Sequence, residues 1–241
     1  MSRAFVDLHS HSRGSFDSLS APRDILKAAS ERGLTHLAIT DHDRIDVAQE
    51  ARELAPAGLT VIVGEEVKTR DGDLICIFLD GAIPPGLSAV ETIAAAREQG
   101  GLVGIPHPFD RMRGSLLRTA AMASLAPLVD WIETHNARVV GHGNEDAATF
   151  ALEHDRPGIS VSDAHSIMEI GVAYTAMDGD PSTPAGLLAA LASVEIIPGR
   201  ASYVIRLWTP VAKGVNRVRG NRRVEPTTAP AAASPQLDRR G

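Results

Sequence analysis

Short apolar runs recur along most of the chain: "AFVDL", "HLAIT", "LTVIVG", "DLICIFL", "LVGIP", "VDWIET" and "GISVS". Longer stretches with apolar positions at helical spacing separate them, so strand and helix alternate as in a parallel sheet with crossover helices. The connecting stretches carry their own start and stop signals. "LSAPRDILKAASERG" supplies Ser20 as a cap, Pro22 in the first turn and Gly33 as a stop. "SAVETIAAAREQGG" couples Ser88 and Glu91 in a capping box and ends on Gly100 and Gly101. Seven strands suffice to close a (β/α) barrel, and an open doubly wound sheet would show the same alternation. No repeat is visible beyond it.

The polar residues fall at the ends of the runs. His9 and His11 follow "AFVDL", Asp41 and His42 follow "HLAIT", and Glu65 and Glu66 follow "LTVIVG". His107 follows "LVGIP", His135 follows "VDWIET", and Asp163 and His165 follow "GISVS"; only "DLICIFL" lacks such an ending. In parallel α/β folds the carboxyl ends of the strands share one face, so these side chains are expected to converge on a single site.

Composition narrows the chemistry. At 241 residues and 44% hydrophobic content the chain can build one substantial core from Ala, Val, Leu and Ile. The single cysteine, Cys76, lies inside an apolar run and reads as a buried hydrophobe, so no disulfide framework or thiolate metal site is expected. The start of the chain shows no signal-peptide pattern, and no apolar stretch reaches the roughly 20 residues of a membrane span. A cytoplasmic protein with no membrane partner is the expectation. The net charge of -6 hides an asymmetry, because seven basic residues lie from Lys213 onward against two acidic ones. The more acidic body argues against a broad nucleic-acid-binding face, leaving nucleic acid only as a substrate. Residues 213–241 read as a basic, Pro/Ala-rich disordered tail, dispensable for catalysis, behind a catalytic domain at 1–212.

Imidazoles and carboxylates without thiolates are ligands for Zn, Mn or Fe. Here they outnumber one coordination sphere, which points to two or three divalent ions. Ions bridged by a carboxylate suit transfer of a phosphoryl group to water. No Gly-rich nucleotide loop is present, so ATP-driven chemistry is not expected.

"DLHSHSRGSFDSLSAP", "LAITDHD", "VGEE", "IPHPFDRMR" and "VSDAH", in this order, resemble the PHP (polymerase and histidinol phosphatase) family over roughly residues 5–205. The resemblance implies a distorted seven-stranded (β/α) TIM-like barrel with the metal site at the carboxyl ends of its strands. It implies His9, His11, Glu66 and Asp163 on one ion, Glu66, His107 and His135 on a second, and Asp17, His42 and His165 on a third. Glu133 or Asn136 are alternatives to His135. Glu66 is preferred to Glu65 because the family pattern counts two residues from Gly64. Asp41 reads as orienting His42 or as an acid/base group, and Arg111, Arg113 and Arg138 as contacts for phosphate oxygens. The activity implied is hydrolysis of a phosphate ester, on a small phosphorylated metabolite, a nucleotide or an oligonucleotide end, by a metal-bridging hydroxide. The alternatives are a non-catalytic, metal-stabilised binding module and amide or ester hydrolysis on a similar barrel.

Overall fold

The computed structural model describes residues 2–110, 119–202, 205 and 207–223, with the side chains of 119–121 left aside. All seven apolar runs form strands: β1 (Arg3–Asp7), β2 (His36–His42), β3 (Thr60–Lys68), β4 (Asp73–Ile77), β5 (Leu102–Ile105), β6 (Trp131–Asn136) and β7 (Gly158–Val161). Two strands escaped the pattern, β8 (Tyr174–Asp178) and β9 (Glu195–Ile197), so among the described residues the sheet has nine strands where seven were expected. The helices are α1 (Pro22–Glu31), α2 (Asp46–Glu53), α3 (Ala89–Glu98), α4 (Thr119–Leu125), α5 (Gly143–Glu153), α6 (Pro184–Ala190) and α7 (Trp208–Val218). The capping box at α3 forms as expected from Ser88 and Glu91. At α1 the cap is Ala21, not Ser20, and Pro22 opens the first turn.

The strand order is β7-β6-β5-β4-β3-β2-β1-β8-β9. β1, β2 and β3 run parallel, as do β5, β6 and β7, but β4 is antiparallel to both its neighbours and β8 is antiparallel to β1. The reversed direction of β4 explains why "DLICIFL" ends in no ligand. Its last residues point to the opposite rim, and its first residue, Asp73, lies on the rim that carries the histidines.

The sheet curls almost into a barrel. Ser160 in β7 donates its N–H to Thr175 Oγ1 in β8 at 2.9 Å and its hydroxyl to the Ile197 carbonyl of β9 at 3.0 Å. On the carboxyl rim the segments after β1 and β7 pair directly, with His11 N–H to Ala164 O at 2.8 Å and Asp163 N–H to His9 O at 2.9 Å. The interior is lined by alternate strand residues, among them Val6, Ala38, Ile62, Ile75, Trp131, Ile159 and Val161. The other parity, including Leu37, Ile39, Val61, Val63 and Val103, packs outward beneath the helices. Gly104 has no side chain because a methyl group there would fall inside the Trp131 indole.

The chain beyond residue 212 departs from the expected tail up to Arg223. α7 runs through Lys213 to Val218, with Ala212 and Asn216 buried. Asn216 donates to the carbonyls of Ser15 and Ser18 at 3.1 and 2.9 Å. Composition missed this docking because the anchors are polar groups satisfied by backbone acceptors and not an apolar stripe. Residues 224–241 lie outside the described residues.

Candidate metal centre

Strand alternation sorts the polar residues at the rim. On β3, Ile62 and Glu66 share the barrel-interior parity, while Glu65 shares the outward parity of Val61 and Val63. On β2, His42 points inward and Asp41 outward. Glu66 is therefore the residue at the centre, and its two oxygens divide: Oε1 is 3.2 Å from His107 Nε2, while Oε2 is 3.4 Å from both His9 Nε2 and His11 Nε2 and 3.3 Å from His42 Nδ1. Asp163 Oδ1 lies 3.5 Å from the same ring nitrogens of His9 and His11. A second focus is Asp17 Oδ2, 3.3 Å from His165 Nε2 and 3.5 Å from His42 Nε2. His107 and Asp163 reach their positions through backbone with φ of 28° and 51°, an uncommon region for residues with a side chain, and held here at the rim.

Among the described residues, three groups of donors converge closely enough to hold ions: His11, Asp17, His42 and His165; His9, His11 and Asp163; and His42, Glu66 and Asp73. Asp73 was not foreseen. It enters the third group because β4 is reversed.

The rings are oriented by partners behind them. His9 Nδ1 is 2.7 Å from Glu133 Oε1, and His11 Nδ1 is 2.9 Å from Ser15 Oγ, which turns both Nε2 atoms to the centre, 3.0 Å apart. His165 Nδ1 is 2.9 Å from the Asp163 carbonyl, which can only accept, so the neutral ring presents the lone pair of Nε2 to Asp17. Burial, with the Arg138 charge nearby, pushes His165 down to about 3, so the ring is neutral.

The donor set fits divalent cations. Two acceptors, the His165 Nε2 lone pair and Asp17 Oδ2, face each other at 3.3 Å, and Glu66 Oε2 and Asp17 Oδ1 are buried without a hydrogen-bond partner. Burial opposes charge on His11, yet the Asp163 and Glu66 carboxylates facing its Nε2 at 3.5 and 3.4 Å raise it to about 9. Burial likewise opposes ionisation of Glu66, but His42 and the surrounding rings hold it well below the usual carboxylate range. The site thus demands positive charge among oxygen and nitrogen donors, which divalent ions would supply.

Other predicted residues stand elsewhere. His135 points out of the barrel, its Nε2 2.8 Å from the Gly199 carbonyl. The cause is a β-bulge between Glu133 and His135, which shifts the alternation so that Glu133 and Asn136 face inward. Asn136 donates to Glu133 Oε2 and Asp163 Oδ2 at 2.9 and 3.0 Å. Asp41 neither touches the cluster nor orients His42. It accepts the Ser12 and Ser15 N–H groups at 2.6 and 3.2 Å and the Ser12 hydroxyl, shaping the loop that carries His11, Ser15 and Asp17. Gly14 closes on that carboxylate where a Cβ would collide. The Arg138 guanidinium is engaged with Glu169 Oε1 at 2.6 Å and Thr209 Oγ1 at 2.8 Å, so it anchors the rim. Arg111 and Arg113 lie outside the described residues.

Comparison with known proteins gives the family. A PHP domain profile matches residues 7–128, and a PHP-associated profile matches residues 141–195. The chain belongs to the PHP-domain family. An uncharacterized protein of Methanocaldococcus jannaschii is 35% identical over 173 residues, covering 70% of this chain and 68% of the relative. Among solved structures, a two-domain protein of Bacteroides vulgatus containing a predicted PHP-like metal-dependent phosphoesterase superimposes with a TM-score of 0.69 at 20% identity. The match covers 82% of this PHP chain and 65% of that protein. The lesion-specific endonuclease Q of Pyrococcus furiosus gives a TM-score of 0.61 at 20% identity, over 81% of this chain and 58% of its own. These two likenesses establish the PHP barrel. No helix among the described residues is long and apolar enough to cross a membrane.

Proposed function

We propose that this chain is a metal-dependent phosphoesterase that hydrolyses a phosphate ester of a small phosphorylated metabolite, a nucleotide or an oligonucleotide end. The observation that carries the reading is the division of the Glu66 carboxylate between His107 on one side and His9, His11 and His42 on the other. One carboxylate with an oxygen toward each of two donor groups would hold a pair of divalent ions, which would supply Lewis-acid chemistry suited to phosphoryl transfer. The kinship with a lesion-specific endonuclease at the level of fold keeps nucleic acid among the substrates to test.

His9, His11, Glu66, His107 and Asp163 would hold two ions, and Asp17, His42 and His165 a third. Bound there, divalent ions supply Lewis-acid chemistry, acidifying water and offsetting the charge of a phosphoryl group. The protein's own part is orientation. Glu133 fixes the His9 ring through Nδ1 and receives the His107 N–H at 2.9 Å, so one carboxylate sets two ligands. Ser15 fixes His11 and also receives the His42 N–H at 3.1 Å, tying the β1 loop to β2. Leu8 and Trp131 are buried in the barrel core beneath the ligands.

The test is elemental analysis after mild purification, followed by phosphate release from phosphomonoesters, nucleotides and oligonucleotides with Mn or Zn added. Two or three ions per chain and metal-restored turnover after chelation are expected. Metal without turnover on any of these substrates would leave a binding module, and absence of bound metal would remove the reading entirely.

A further inference from the structure

The segment Trp208–Arg223 lies on the metal rim at successive anchor points. Thr209 receives the Arg138 guanidinium, Asn216 donates to Ser15 O and Ser18 O, and Asn221 donates to Gly14 O at 3.1 Å. Arg223 closes the segment, with Nη2 2.8 Å from Asp73 Oδ1 and Nε 3.3 Å from Asp43 Oδ2. Two of these anchors grip the loop that carries Asp17, and a third grips Asp73. A helix serving only as packing has no reason to place its fixings on ligand-bearing loops.

The cations brought along differ in what they have left to give. Arg138 and Arg223 are mostly buried and each is engaged by two oxygens. The Lys213 side chain is 51% exposed; its ammonium stands 5.2 Å over the Phe16 ring and 3.9 Å from Asp17 Oδ2, beyond hydrogen-bond length. Asp17 Oδ2 is the oxygen that faces His42 and His165. The half-exposed ammonium therefore sits beside that donor group with N–H donors to spare for an anion bound there.

We propose that α7 completes the substrate pocket and that Lys213 contacts the phosphoryl oxygens of the substrate, with Asn216 and Arg223 as positioning residues. This reverses the expectation that the chain from Lys213 is dispensable, and it rests on the phosphoesterase reading for the identity of the anion.

The experiment compares the full-length protein with Lys213→Ala and Lys213→Arg at matched metal content, verified by elemental analysis. Inorganic phosphate binding is measured by calorimetry, and KM and kcat on a phosphomonoester. Lys213→Ala should weaken phosphate binding and raise KM about 10- to 100-fold, the scale of a hydrogen bond to a charged group, with metal content unchanged. Lys213→Arg should recover most of the loss. Phosphate binding that is undetectable in the unaltered protein, or unaffected by Lys213→Ala, overturns the inference. Lys213-dependent phosphate binding without any turnover would uphold this contact and sink the phosphoesterase reading, whereas turnover indifferent to Lys213 would do the reverse.

Discussion

Glu65 and Glu66 are adjacent, both buried, and opposite in role, and Glu65→Gln separates them. The Glu65 side chain leaves the barrel on the helix side, where Oε1 accepts the Ile83 N–H at 2.5 Å and Oε2 has no hydrogen-bond partner. Burial pushes its carboxyl up to about 8 from an ordinary 4.5, with the Asp43 charge adding to the rise. The folded protein therefore holds this proton more tightly than the unfolded chain. Stability from this group is complete below about pH 4.5 and is lost as pH climbs toward 8. At roughly 1.4 kcal/mol per pH unit, the loss between pH 5 and pH 8 is on the order of 3 kcal/mol. A glutamine side chain cannot ionise, so the stability difference between Glu65→Gln and the unaltered protein should swing by that amount in favour of the variant over the same range. Urea unfolding of both proteins at pH 5, 6, 7 and 8 with chelator present isolates this contribution, because the histidine cluster titrates alike in both. A difference that stays constant with pH would refute a protonated, buried Glu65.

The neighbouring change, Glu66→Gln, should lower turnover by at least about 100-fold and weaken metal retention in dialysis, whereas Glu65→Gln should leave both intact. Glu133→Gln should cost about 10- to 100-fold in metal affinity by metal-buffered titration, since it releases the His9 ring, while His135→Ala should leave affinity unchanged; the opposite ranking would mean that the bulge on β6 is misplaced. Gly104→Ala should destabilise by about 1–3 kcal/mol in thermal or urea melts, because its methyl must displace the Trp131 indole.

Much of the site was legible in the sequence because strand periodicity is local. Alternation along "LTVIVGEE" puts Glu65 and Glu66 on opposite faces, and the family pattern counted from Gly64 selects Glu66 as the one at the site. The same regularity, with parallel pairing at its carboxyl ends, is why His9, His11, His42, His107, Asp163 and His165 could be expected at one rim. Where the reading failed, a partner strand had overruled local alternation. From Trp131, simple counting brings Glu133 and then His135 inward, but β7 pairs with β6 across a bulge and Asn136 takes the inward place. The direction of β4 is set by its short connection to β3, and only that reversal puts Asp73 on the rim. Asp41 looks from its position like a ligand neighbour, and its bonds to Ser12 and Ser15 exist only once the β1 loop has folded against it. The C-terminal segment is the furthest case. The stretch "WTPVAKGVNRV" carries apolar residues at helical spacing, but the anchors Asn216, Asn221 and Arg223 are polar, so the sequence marks a helix without showing where it docks. Their free energy comes from carbonyls and carboxylates some 150 to 200 residues earlier in the chain, which the barrel gathers at one place. Alternation and side-chain chemistry are properties of neighbouring residues and can be read along the sequence; register, strand direction and long-range polar docking depend on which surfaces meet, and the nearly closed barrel decides that.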